Sequence, residues 1–157
     1  MIRWLDCLHA NFPSKVQVQE IGRSFEGRPL KVIRIGDGDK SKPAVFIDAG
    51  IHARYDMTGI MPSNSSSQHC REWVSPAAVT YLIHRMVETD GEYDALLNKF
   101  TVYVLPLVNP DGYEYSRQHD RMWRKTRSRT GGRNLFGDVR IDIYRHLPSN
   151  VMSCIRS

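Results

Sequence analysis

Residues 43–52 read PAVFIDAGIH, and residues 72–76 read EWVSP. The first string holds a continuous apolar run bounded by turn-forming residues, a pattern typical of an interior β-strand. In the second string, Ser75 is a favourable helix N-cap, and Pro76 suits the first helical position, where no backbone N–H is needed. The sequence therefore predicts a strand and a helix that are separated by an excursion, residues 55–71. A side chain that can bind a metal ion lies on each side of this excursion.

The excursion separates a histidine from a glutamate. If residues 55–71 are left out, the flanking strings join as GIHAREWVSP, in which His and Glu stand three residues apart once Arg54 follows on to Glu72. An imidazole nitrogen and a carboxylate are ligands that Zn²⁺ takes at about 2.0–2.2 Å. His52 lies at the end of the predicted strand, whereas His69 lies three residues before Glu72 in a His-x-x-Glu pattern. Both histidines are ligand candidates.

Composition narrows the class of protein. The 157 residues are 41% hydrophobic and 25% charged, which is typical of a globular domain. No apolar run approaches the roughly 20 residues needed to span a bilayer, and no apolar signal region follows Met1. Three cysteines are too few for a disulfide framework. The net charge of +5 is weak evidence for a nucleic-acid partner, and we expect neither nucleic-acid nor membrane binding.

Hydrophobic periodicity predicts alternating helices and strands, and hence an α/β layered domain. The predicted helices are residues 2–12, 74–88 and 93–98, and the predicted strands are residues 16–19, 30–35, 44–50 and 100–107. Glu26-Gly27 is predicted to be the turn of an antiparallel hairpin. The strands 44–50 and 101–107 are expected to be buried on both faces, and NPDG at residues 109–112 is expected to form a turn.

Five strings together resemble the zinc metallocarboxypeptidases of the pancreatic carboxypeptidase A/B type. They are IGRSFEGRPL at 21–30, DAGIHAR at 48–54, REWVSP at 71–76, LPLVNPDGYEY at 105–115 and DRMWRKTRS at 120–128. Their order and spacing match the family apart from the excursion. The resemblance implies a mixed central β-sheet flanked by helices, roughly the first half of a carboxypeptidase catalytic domain.

The resemblance also divides the chain. Residues 1–133 are expected to form a partial carboxypeptidase-like catalytic domain, with residues 55–71 as an inserted loop rich in Ser, Gly, Pro and Asn. Residues 134–157 contain no family string and are expected to be a non-family tail. The family would continue with an Asp-x-Asn-Arg-Asn segment, whereas residues 138–144 read DVRIDIY. An unspliced insertion and an altered ending would explain both segments.

In function, the resemblance implies zinc-dependent hydrolysis of C-terminal residues from peptides. His52 and Glu72, with His69 as the alternative, would hold Zn²⁺. Arg124 would point at the substrate carbonyl and stabilise the developing oxyanion. Arg54 or Arg71 would correspond to the substrate-binding arginine beside the metal ligands.

Other family elements have no counterpart in these 157 residues: the second zinc histidine, the Asn-Arg pair that binds the substrate carboxylate, and the catalytic glutamate. We therefore expect this chain to be inactive by itself. One alternative is a non-catalytic peptide- or metal-binding remnant of the family, and a more remote one is a basic nucleic-acid-binding module. The resemblance further implies an extracellular monomer, although no signal peptide is recognised in this chain.

Overall fold

A computed structural model describes residues 1–53, 73–89 and 91–127. Its helices are α1 (Ile2–Asn11), α2 (Val74–Glu88), α3 (Asp94–Leu97) and α4 (Pro110–Gln118). Its strands are β1 (Val16–Arg23), β2 (Pro29–Ile35), β3 (Ala44–Asp48) and β4 (Thr101–Leu105). The architecture is therefore α/β, as the sequence predicts. None of the helices in these ranges is long and apolar enough to cross a membrane.

The four strands form one mixed sheet in the order β1-β2-β4-β3. β2 pairs antiparallel with both β1 and β4, whereas β3 and β4 are parallel. Parallel neighbours need a long crossover connection, and α2 and α3 lie between β3 and β4 in the chain. This arrangement confirms the mixed central sheet with flanking helices. It also places the carboxyl ends of the parallel strands β3 and β4 next to each other.

The predicted hairpin joins β1 to β2. The backbone N–H of Ser24 donates to the carbonyl of Arg28 at 2.8 Å, and the N–H of Gly27 donates to the carbonyl of Ser24 at 3.0 Å. Gly27 has a φ of 81°, in the left-handed region that glycine enters without a Cβ clash. The turn at Glu26-Gly27 is thus confirmed.

Apolar residues form two clusters on opposite faces of the sheet. Successive residues of a strand point to opposite faces, so Ile33 and Ile35 lie in one cluster and Leu30 and Val32 in the other. The first cluster also holds six buried side chains of α1 and α2, namely Leu5, Leu8, Val79, Ile83, Met86 and Val87. β4 contributes to both clusters, which confirms that this strand is buried on both faces.

The prediction that residues 44–50 form an interior strand buried on both faces is wrong for β3 as described. β3 lies at the edge of the described sheet, and four of its five residues are half-buried. Val45 is 39% exposed. The physical reason is that, among the described strands, β4 alone pairs with β3.

Two predictions at element ends are also wrong. Ser75 is not the N-cap of α2, which begins at Val74; its hydroxyl instead accepts a hydrogen bond from the backbone N–H of Gly50 at 3.4 Å. Residues 109–112 do not form a turn between elements but start α4. Asn109 is the N-cap, and its side chain accepts from the N–H of Gly112 at 2.9 Å. Asn and Pro favour helix starts as well as turns, so the local sequence did not separate the two outcomes.

Candidate active site

His52 stands just beyond the carboxyl end of β3. After the strand, the N–H groups of Val108 and Asn109 donate to the carbonyls of Ala49 and Gly50 at 2.9 and 3.0 Å, so residues 49–50 stay attached to the segment that follows β4. Gly50 has a φ of 67°, and an added Cβ would lie 2.7 Å from Cδ1 of Leu107. A side chain at residue 50 would therefore disturb this approach. The fold thus places His52 at the carboxyl end of β3, and open α/β sheets commonly bind ligands at the carboxyl ends of their strands.

Arg124 lies beside His52. A guanidinium nitrogen of Arg124 is 3.5 Å from Nε2 of His52, although the two residues are 72 positions apart in sequence. Since a guanidinium can only donate, the imidazole nitrogen is the acceptor in this contact. The backbone N–H of Ala53 also donates to the carbonyl of Arg124 at 3.3 Å. The structure therefore brings together two of the site residues predicted from sequence.

The segment that carries Arg124, residues 123–127 (the Arg124 segment), is held by contacts with α4. The carbonyl of Lys125 accepts hydrogen bonds from Nδ2 of Asn109 at 3.2 Å and from Nε1 of Trp123 at 2.6 Å. The ring of Trp123 packs edge-on against Tyr115, with centroids 4.8 Å apart. One residue, Asn109, thus caps α4 and ties the helix to the segment that carries Arg124.

The described residues on either side of the excursion lie close together at this site. The indole N–H of Trp73 donates to the carbonyl of Ala53 at 2.9 Å, and the Trp73 ring lies 4.9 Å from that of Tyr113. Ala53 and Trp73 therefore lie next to each other in the fold. Arg54, His69, Arg71 and Glu72 lie outside the described residues, and the proposed sharing of one metal ion by His52 and Glu72 stays a prediction.

The described residues fit a zinc site only in part. His52 offers an imidazole nitrogen, which is a ligand type that Zn²⁺ prefers. Within residues 1–53, 73–89 and 91–127, no group of three or more His, Cys, Asp or Glu side chains could hold a metal ion. His52 is the candidate ligand that lies within the described residues, and the other two candidates, His69 and Glu72, lie outside them.

A buried carboxylate in α4 was not predicted from the sequence to have a role. Asp111, in the first turn of α4, is 3% exposed. Its carboxylate accepts from the Ser24 hydroxyl at 2.6 Å, from the Glu26 backbone N–H at 2.9 Å and from the Arg28 guanidinium at 2.6 Å. Asp111 therefore fastens the β1–β2 hairpin to α4. No local signal identified it, because its partners are more than 80 residues away in sequence.

Glu26 extends this network toward the Arg124 segment. Its carboxylate accepts from the Arg28 guanidinium and, at 3.2 Å, from Nε of Arg127. The hydrogen bond from Arg28, reinforced by that from Arg127, lowers the pKa of Glu26 below its usual value of 4.5. A carboxyl group with a lowered pKa stabilises the fold at pH values above its unfolded pKa, and this contribution is lost as the pH falls through the folded pKa. Glu26 is therefore ionised at neutral pH, where its ion pairs with Arg28 and Arg127 contribute to stability.

The comparisons with known proteins agree with this geometry. A family model described as "Zinc carboxypeptidase" matches residues 1–58 and 64–153. The chain is 41% identical over 128 residues to carboxypeptidase B of Astacus astacus, covering 82% of this chain and 37% of that protein. Within the excursion the family match omits only residues 59–63, and it continues through residues 134–153, which contain none of the five family strings.

Solved structures show the same relationship. The carboxypeptidase A of Helicoverpa armigera superposes with a TM-score of 0.65 at 37% identity, covering 80% of this chain and 27% of that one. Thrombin activatable fibrinolysis inhibitor superposes with a TM-score of 0.68 at 32% identity, covering 85% of this chain and 30% of that one. The chain thus spans about a third of the length of these relatives. It belongs to the zinc carboxypeptidase family.

Proposed function

We propose that this chain carries part of a metallocarboxypeptidase centre, whose complete form hydrolyses C-terminal residues from peptides. The observation that supports it best is the contact between Arg124 and His52 at the carboxyl end of β3, within a chain of this family. His52 and Glu72 are the proposed zinc ligands, with His69 as an alternative or additional one. Bound Zn²⁺ would polarise the scissile carbonyl and lower the pKa of a water molecule.

The protein side chains would position the substrate. Arg124 is exposed beside His52, so the guanidinium donors that do not contact His52 can meet a substrate oxygen on which negative charge develops. Such a donor is often worth about 3–4 kcal/mol when it is preorganised. The backbone contact to Ala53 would supply part of that preorganisation. Arg54 and Arg71 are proposed to bind the substrate beside Arg124.

The alternative is a non-catalytic remnant that binds a metal ion or a peptide. We propose an extracellular monomer in either case, on the basis of the family resemblance. Binding and turnover need separate experiments, because the alternative predicts binding without hydrolysis.

Zinc binding is the first test. We expect His52→Ala to weaken the affinity of the full 157-residue chain for Zn²⁺ by about tenfold or more, since the loss of even supporting residues around a metal costs about 10–100-fold. Isothermal titration of the metal-free chain with Zn²⁺ measures this. His84→Ala is the matched control, because His84 lies on α2 and pairs with Glu88 at 3.1 Å. Equal affinities for the two variants would refute His52 as a ligand.

Turnover is the second test. We expect the zinc-loaded chain by itself to leave peptides ending in Phe, Leu, Arg or Lys intact, because a catalytic base alone is worth about 10²–10⁴ in rate and the sequence offers none at a family position. Mass spectrometry of the peptides after long incubation measures this. Release of a C-terminal residue that a chelator abolishes would show that this chain is a complete enzyme.

A further inference from the structure

The segment that carries Arg124 is attached at two places. Near its start, the N–H of Ala53 and Nδ2 of Asn109 donate to the carbonyls of Arg124 and Lys125. At its end, Nε of Arg127 donates to Oε1 of Glu26, in the turn of the β1–β2 hairpin, at 3.2 Å. The Arg124 side chain therefore projects from a short stretch whose two ends are bound by different parts of the fold.

Arg127 is fixed on more than one side. Its guanidinium carbon lies 3.9 Å from the centroid of the Tyr115 ring and 5.2 Å from that of Trp123. A guanidinium that stacks on aromatic faces and donates to a carboxylate has little freedom to change direction. The orientation of Arg127 therefore depends on where Glu26 and Tyr115 are placed.

Glu26 is itself held in place by Asp111 and Arg28. Its backbone N–H donates to the buried carboxylate of Asp111, and Arg28 bridges the carboxylates of both residues. Glu26 is thus a fixed acceptor that presents its second oxygen to Arg127. The side chains of Glu26 and Arg127 remain 34% and 32% exposed, so the pair is partly screened by solvent and its effect is moderate.

We propose that Glu26 is a positioning residue for Arg124, acting through Arg127. This inference rests on the proposed function, in which Arg124 meets the substrate oxygen. An oxyanion donor is effective only when it is held in place before the reaction, so a salt bridge at the end of its segment serves that purpose. Glu26 touches neither substrate nor metal in this assignment, and Asp111 supports it from the core.

The position of Arg124 can be followed by NMR without any catalytic activity. In the full chain labelled with ¹⁵N-arginine, the Nε–Hε signal of Arg124 is identified by its loss in Arg124→Lys. We expect Glu26→Gln to shift this signal and to accelerate exchange of its Hε proton with water by about two- to fivefold, the range for losing a partly exposed ion pair. Arg127→Lys, which keeps the charge but loses the planar fork, should have the same effect.

Glu20→Gln is the matched control. It makes the same chemical change on the same hairpin and removes an ion pair of 3.0 Å with Arg23. Among the described residues, the contacts of Arg23 are with Glu20 and the Gly27 carbonyl, and none is with residues 123–127. Glu26→Asp keeps the charge and should restore part of the wild-type exchange rate. An unchanged Arg124 signal in Glu26→Gln, or an equal change in Glu20→Gln, would overturn the proposal.

The measurement is made on the metal-free chain, so it separates this inference from the proposed function. A changed Arg124 signal in Glu26→Gln together with equal zinc affinities of His52→Ala and His84→Ala would retain the positioning role and reject the metal centre. An unchanged Arg124 signal together with weakened zinc binding by His52→Ala would do the reverse.

Discussion

We expect Asp111→Ala to lower the free energy of unfolding by about 3 kcal/mol, since removing one partner of a buried charged group leaves the others without hydrogen bonds. The substitution deprives the Ser24 hydroxyl, the Glu26 backbone N–H and the Arg28 guanidinium of their common acceptor. Arg28 is hydrogen-bonded to Glu26 as well, which keeps the loss from being larger. The β1–β2 hairpin should consequently loosen from α4.

Urea unfolding followed by circular dichroism measures this loss. Asp6→Ala is the control, because Asp6 forms an ion pair of 2.6 Å with Lys31 but its side chain is 50% exposed. Surface pairs of this kind contribute about 0–1 kcal/mol. Asp111→Asn keeps the shape but turns an acceptor into a donor, and we expect a loss between those of the two alanine variants. Equal losses for Asp6→Ala and Asp111→Ala would contradict the structural role of Asp111.

Gly112→Ala should be the second strongly destabilising change, with an expected net loss of about 2 kcal/mol. Inserting a methyl group into a well-packed site costs about 1–3 kcal/mol, against which the helix preference for Ala over Gly returns about 1 kcal/mol at most. The new Cβ would lie 2.6 Å from the carbonyl oxygen of Lys125, 2.6 Å from Nδ2 of Asn109 and 2.9 Å from Cβ of Ala53. The Lys125 oxygen belongs to the backbone and cannot rotate away, so we expect the clash to outweigh the propensity.

The clash also lies directly under the segment that carries Arg124. Gly112→Ala should therefore shift the Nε–Hε signal of Arg124 in addition to lowering the urea midpoint. Gln118→Ala, at an exposed position near the end of the same helix, is expected to change stability by less than about 0.5 kcal/mol. Full stability in Gly112→Ala would show that the Arg124 segment can move away from α4 without cost.

Most elements followed from local pattern. The apolar spacing of α1 and α2 and the alternation in β2 identified these elements because their buried faces repeat with the period of the secondary structure. The turn at Glu26-Gly27 was predictable because the φ of Gly27 suits glycine. The five family strings identified the class of protein, and His52 and Arg124 were named as site candidates from those strings alone.

Relations between distant residues were decided only by the tertiary structure. The exposure of β3 depends on which strands pair with it, and an apolar run alone does not predict the number of neighbouring strands. Asn109, the N-cap of α4, also donates to the carbonyl of Lys125, and that contact joins the helix to a segment that follows it in the chain. The contact of His52 with Arg124 and the Asp111 network each join residues more than 70 positions apart.

The sequence by itself therefore determined which segments become helices or strands and which residue types are available, because these depend on near neighbours. The sheet order and the folding of α4 against the hairpin decided which of those residues meet, because charge pairing and close packing act between side chains that only the folded chain brings together.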